Sequence, residues 1–271
     1  PPPPPPPGRP ARPPPPPAAR AAGQGDARVV RAGPRAAVVV DVGPAGAAAG
    51  SCLDDLGVAR VDVLVLSHFH ADHVPPPAAP RRARPRAPPP APPPAAPAGP
   101  AARAPGDLAD AGVPAQVARP GETGATGTAD SVGAAGAGGS GERVDDGASW
   151  EVLQAGPGDA NDASVALLVR VAGLDVVALG DLEDAGQAAL ARTLGERGTG
   201  PVDVVKVAHH GSATQSDRLA QVLAPTVALV SSGENTYGHP TDRALDLYRG
   251  VGATVLRPDA CGARARVGRG D

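Results

Sequence analysis

Ser67-His68-Phe69-His70-Ala71-Asp72-His73-Val74 follows the apolar run Val61 to Leu66, and its reading decides the rest of the chain. Alternate residues of an extended segment point the same way, so His68 and His70 can grip one cation from a strand end. Asp72 and His73 can then turn towards a second. Imidazole and carboxylate ligands without thiolate suit zinc, manganese or iron in an open hydrolytic site better than a closed structural one.

The other histidines are His209, His210 and His239, and each lies in a short motif beside glycine, serine or proline. Prolines divide the chain: 27 of its 36 fall in residues 1–22 and 75–105. Such segments lack amide donors for ladders and large apolar side chains for a core, so they read as polyproline-like or disordered. The expected organisation is a proline-rich segment at 1–22 and one domain at 23–271, interrupted by low-complexity sequence at about 75–147.

The two proline tracts hold eight arginines and no acid, so with a net charge of −3 the remainder carries −11. No broad basic face for gripping duplex DNA is visible, so a polyanionic substrate would have to be held by metals and a few local groups. Cys52 and Cys261 are the only thiols and fix no redox compartment. No run of 18 apolar residues exists, so no membrane span is expected within the sequence. Lacking an initiator methionine, it reads as a piece of a longer product. With Trp150, Tyr237, Tyr248 and Phe69 as its whole aromatic set, the core must rest on valine, leucine and alanine.

Periodicity predicts strands at 27–31 and 36–42 joined by a turn at Gly33-Pro34, a helix at 45–56 and a buried strand at 61–66 that delivers the histidine cluster. A short strand is expected around 113–118. Order resumes at Trp150 with strands at 150–153, 164–171 and 175–179, the last two hinged at Ala172-Gly173. Beyond Asp181 helix and strand alternate: helices at 183–194, 217–223 and 242–249, the last capped by Thr241, and strands at 202–207, 226–230 and 253–257. In a layered α/β fold, strand ends on one edge share a face, which is how these distant motifs can meet.

With its motifs in that order, the chain resembles the metallo-β-lactamase fold superfamily, and within it the C-terminal domain of ComEC-type DNA-internalisation competence proteins. Gly23-Gln24-Gly25-Asp26-Ala27, Val40-Asp41-Val42-Gly43 and residues 67–73 match the family's early blocks. Asn161-Asp162-Ala163-Ser164, Leu179-Gly180-Asp181, the run Lys206 to Ser212 and Asn235-Thr236-Tyr237-Gly238-His239-Pro240 match its later ones. The resemblance implies a four-layer αββα sandwich with one or two zinc or manganese ions at one edge. It also implies hydrolysis of single-stranded DNA during uptake, a membrane channel domain upstream and an extracytoplasmic location at the cell membrane.

Carried onto this sequence, the family pattern implies His68 and His70 for one ion, Asp72 and His73 for the other, and Asp181 as the bridging carboxylate. His209 and His210 would contact substrate and move protons, with Asp72 also among the catalytic groups. Either His210 or His239 would be the last metal ligand. Ser212, Asn235 and Tyr237 are candidate substrate contacts, and backbone N–H groups of the Gly211-Ser212 loop could receive a phosphate oxygen. Asp41, Asn161 and Asp162 are candidates for the shell behind the ligands, and Gln24 and Asp26 for the rim.

The sequence departs from the pattern twice. Asn161 stands twenty residues before Asp181, where many superfamily members place a third histidine, so either Asp162 reaches in or one ion is held weakly. After Val74, proline and arginine repeats replace the family's two glycines, strand and helix. A shifted reading frame in GC-rich DNA would give that composition. A thioester or lactam hydrolase of the same fold, or an inactive fragment, are the alternative readings.

Overall fold

Val38 and Val40 face one core while Ala37 and Val39 face another, and this alternation along one strand generates the layers of the fold. The computed structural model describes residues 18–21, 27–43, 47–70, 73, 90–91, 116–126, 147–156, 159, 161–233, 235–257 and 265–266. Its strands are β1 (Ala18–Ala21), β2 (Ala27–Arg31), β3 (Ala36–Val42), β4 (Arg60–Val65), β5 (Pro90–Ala91), β6 (Gln116–Val117) and β7 (Thr123–Ala125). There follow β8 (Ala148–Gln154), β9 (Ala166–Val171), β10 (Leu174–Ala178), β11 (Val204–Lys206), β12 (Val227–Leu229), β13 (Thr254–Leu256) and β14 (Ala265–Arg266). The helices are α1 (Ala47–Asp55), α2 (Asp184–Glu196), α3 (Asp217–Leu223) and α4 (Asp242–Gly250).

Two main sheets result, ordered β14-β1-β2-β3-β4 and β13-β12-β11-β10-β9-β8-β7, and β5 and β6 form a separate pair. In the second, β7 to β10 pair antiparallel and β10 to β13 parallel, so its parallel half carries the helices that cross over between strands.

Three apolar clusters mark the three interfaces of an αββα sandwich. Between the sheets lie Val38, Val40, Val63, Val65, Trp150, Leu167 and Val169. Behind the first sheet, Val29, Ala37, Val39 and Val61 pack with Cys52 of α1. Behind the second, Leu168, Val177 and Val205 meet Leu190 and Leu194 of α2, Leu219 and Leu223 of α3, and Tyr248 of α4. Burying each such side chain is worth about 1.5–3 kcal/mol, so a core nearly without aromatics is sufficient when three interfaces are filled.

Local signals explain the boundaries. Ser216 and Thr241 cap α3 and α4 by accepting from Leu219 N and Ala244 N. The turn between β9 and β10 takes left-handed backbone at Ala172 and Gly173.

The structure differs from the sequence reading in the low-complexity regions. Ala18–Ala21, assigned to a disordered segment, adds a strand between β2 and β14. Within 75–147, β7 pairs along β8, and of the strand expected at 113–118 Gln116–Val117 is described, paired with Pro90–Ala91, while residues 113–115 lie outside the described residues. Alanine and threonine in these stretches accept extended backbone once a neighbouring edge supplies hydrogen bonds. The remaining proline-rich sequence, with Gln24 and Asp26, lies outside the described residues. No helix among the described residues is long and apolar enough to cross a membrane.

Candidate metal centre

The cluster forms where β4 of one sheet and β10 and β11 of the other end at a common edge. His68 and His73 follow β4; Asp181 follows β10, and His210 follows β11 in a 3-10 turn at Ala208–Gly211. His68, His73 and Asp181 are all buried and offer ligand atoms within 4.8 Å of one another. One carboxylate oxygen is the focus: Asp181 Oδ2 lies 3.2 Å from His73 Nε2, 3.4 Å from His210 Nε2 and 3.9 Å from His68 Nε2. His70, exposed at the rim, brings its Nδ1 to 3.1 Å from His68 Nε2. This set of imidazole nitrogens around a buried carboxylate fits a divalent cation by ligand type and convergence.

Glycine makes the approach possible. Gly180, at φ +55°, would place a Cβ 2.7 Å from Ser164 Cβ and 3.2 Å from Ser67 Cβ. Only a residue without Cβ lets the strand end of β10 meet the loop that carries His68. The Ser164 hydroxyl then braces the same turn, accepting from Asp181 N at 3.1 Å.

Behind the histidines, Asp41 gathers three hydrogen bonds. Its Oδ2 accepts from His73 Nδ1 at 3.0 Å and from Ser67 Oγ at 2.7 Å, and its Oδ1 accepts from Ser67 N at 2.7 Å. The carboxylate thereby fixes the tautomer that turns His73 Nε2 towards Asp181. Asp41 sits at φ +56°, and His209 and His210 at +43° and +52°. Left-handed backbone at three non-glycine residues of one edge is the strain that functional sites retain.

Charge balance follows from burial and neighbours. For His73, burial opposes the charged form, but the Asp181 and Asp41 carboxylates outweigh it and hold its pKa well above the ordinary histidine value. For Asp181, burial favours the neutral acid, yet His73, Lys206 and the His210 hydrogen bond hold its pKa well below the usual carboxylate value. Burial, then the neighbouring His209 and His210, lowers His239.

Two groups that sequence reasoning left without a role are central. Lys206, buried, reaches Gly180 O at 2.7 Å and Asp181 Oδ1 at 3.3 Å. It is the only lysine among the 25 basic residues, a signal that was available in the sequence. Glu183 Oε1 lies 2.5 Å from His209 Nδ1 in an ion-pair contact that is not aligned as a hydrogen bond. Glu183 also accepts from Asn161 Nδ2 at 3.3 Å and from the Thr214 hydroxyl.

Several expectations change. Asp162 does not reach the cluster: its Oδ1 accepts from Glu183 N and Gly186 N, both at 2.9 Å, and so caps α2. Asn161 braces Glu183, while its buried Oδ1 has no hydrogen-bond partner among the described residues. Ser212 is buried, its hydroxyl 2.7 Å from Thr214 Oγ1 and its N–H donating to His209 O, so neither group faces a substrate. The side-chain amide of Asn235 is spent within its own loop, on Ser232, Gly233, Tyr237 and His239. His239 has His209 and Tyr237 as ring neighbours, at 5.2 and 6.2 Å, whereas His210 stands against Asp181. Asp72 lies outside the described residues.

All six histidines nonetheless form one continuous row. From His70 through His68, His73, His210 and His209 to His239, successive ring centroids are 4.6, 4.0, 5.5, 6.0 and 5.2 Å apart.

Comparison with known proteins agrees with this geometry. The metallo-beta-lactamase superfamily model matches residues 20–74, the stretch that carries Asp41, His68, His70 and His73. The chain is 32% identical over 108 residues to ComE operon protein 3 of Bacillus subtilis (strain 168), covering 39% of this chain and 14% of that protein. It is 34% identical over 131 residues to competence protein ComA of Neisseria gonorrhoeae, covering 46% and 19%. The matches thus span less than a fifth of either relative. Among solved structures, a variant of the CmlA β-hydroxylase superposes with a TM-score of 0.51 at 16% identity, covering 91% of this chain and 53% of that one.

Proposed function

We propose, for a chain with the metallo-β-lactamase fold and competence-protein relatives, that it is a metal-dependent hydrolase whose substrate is a phosphodiester of single-stranded DNA. The observation that carries this reading is the convergence of buried His68, His73 and Asp181, with His210 on the same carboxylate oxygen, beside a second pair formed by His209 and Glu183. Fold alone does not choose a reaction, since the superposed neighbour is a hydroxylase; the site has to do so.

His68, His70, His73, Asp181 and His210 would hold the cation, with Asp72 as a further ligand from the same loop. A zinc or manganese ion there would supply a nucleophile at neutral pH and a Lewis acid for the phosphoryl oxygen. Asp41 keeps His73 aimed at Asp181, and Lys206 keeps Asp181 aimed at the histidines. His209, its Nδ1 against Glu183, presents its other nitrogen for proton transfer to the leaving oxygen. His239, next in the row, contacts the substrate.

By relation to the competence proteins, the domain would act during DNA uptake, attached to a membrane channel domain and facing outward from the cell membrane. Labelled single-stranded DNA incubated with the full chain and manganese or zinc should be cut, and chelator or His73→Ala should abolish cutting. A folded, metal-loaded sample that leaves DNA intact but turns over a chromogenic lactam or an acyl thioester would replace this reading.

A further inference from the structure

Three of the chain's four aromatic side chains, Phe69, Trp150 and Tyr248, are buried, but Tyr237 exposes 82% of its surface. In a protein so short of rings, leaving one outside the core forgoes scarce packing area. Its setting is preformed. Asn235 Oδ1 accepts from Tyr237 N at 3.0 Å and His239 N at 3.1 Å, and Asn235 Nδ2 donates to His239 O at 2.7 Å. Ser232 Oγ donates to the same carbonyl at 2.8 Å. Behind the loop, Gly211 packs on Pro240 and accepts from Thr241 N at 2.9 Å, so the Tyr237 turn and the His209-His210 turn are locked together.

The tyrosine therefore stands at the end of the histidine row, its ring inclined 35° to His239. From His239 the row runs through His209 to His210 and the Asp181 carboxylate. We propose that Tyr237 is a stacking platform for an unpaired nucleobase, one or two nucleotides from the phosphodiester at His209 and His210. This rests on the phosphodiesterase reading and adds the means by which the single strand is recognised, through its exposed bases. Charge argues the same way: outside the proline tracts the chain carries −11, so its overall field repels phosphate and a charge-independent contact gains weight. Stacking needs no charge, tolerates any base and is denied to a duplex, whose rings face one another.

The test uses the full chain with chelator, so that binding is read without turnover. A fluorescent octathymidylate is compared with an abasic strand of the same length and charge. Wild type should bind the thymidylate about ten-fold more tightly. Tyr237→Ala should bring that ratio close to one, and Tyr237→Phe should keep it. Equal affinity of wild type for the two strands, or a ratio that survives Tyr237→Ala, overturns the platform. Adding manganese separates the two claims. Base-dependent binding without cleavage defeats the nuclease reading and leaves the platform standing, whereas cleavage of both strands at equal rates does the reverse.

Discussion

The Lys206 ammonium lies 3.3 Å from Asp181 Oδ1, while the histidines crowd Oδ2, so one carboxylate is divided between a fixed cation and a row of metal-ligand candidates. Removing one partner of a buried ion pair leaves the other without compensation and costs about 3–5 kcal/mol. Lys206→Met should therefore lower the stability of metal-free protein by about 3 kcal/mol. An ion can replace the missing charge, so zinc should raise the thermal midpoint of the variant more than that of wild type. Equal zinc-induced shifts would mean that Lys206 and the ion do not share the carboxylate.

Metal uptake should depend on pH through His73. Its pKa is raised in the folded, metal-free protein, so it stabilises the fold fully below about 6.5 and this contribution is lost as pH climbs through the raised value. An ion must displace that proton. Apparent zinc affinity, measured against a chromophoric chelator, should thus increase by up to about tenfold per pH unit through neutrality. A flat profile from pH 6 to 8 would remove His73 from the ligand set.

Gly180→Ala should disable the cluster. Left-handed backbone costs an L-residue about 1–2 kcal/mol, and here the new methyl also meets Ser164 and Ser67. The variant should lose about 2 kcal/mol or more and retain little zinc after dialysis. Gly173→Ala provides the comparison, with φ at +77° and open space around its Cβ. It should lose about 1 kcal/mol and keep its metal. Unfolding midpoints and metal content decide between them.

Asp162→Ala separates capping from ligation. With only the cap of α2 removed, stability should fall by about 1 kcal/mol and metal stoichiometry should stay that of wild type. Loss of bound metal with unchanged stability would restore Asp162 to the site.

Periodicity made most of the fold legible. The strands at 27–31 and 36–42 and the helix at 217–223 were read to the residue, because runs of consecutive valine, or Leu219 and Leu223 at helical spacing, leave little choice. Strands β1, β7 and β14 were not, since alanine, threonine and arginine carry no pattern and become strands only beside an existing edge. At the site, ligand chemistry pointed to His68, His73 and Asp181. The role of Glu183 was hidden, because its neighbours Asn161, His209 and Thr214 come from three separate loops and meet only in the folded chain. Asn235 shows the opposite error: a polar residue in a chemical-looking motif proved to be the buckle of its own turn.

His68 and His73 hang from one sheet, and Asp181 and His210 from the other, with over a hundred residues of sequence between the two groups. An ion clasped by both groups is thereby a cross-link, closing a long loop much as a disulfide would. Metal supply would govern endurance as well as chemistry: stripped of its ion, this edge keeps the His73–Asp181 contact and the Val165 N–Ser67 O hydrogen bond but loses its clasp, and a protease should find it there first.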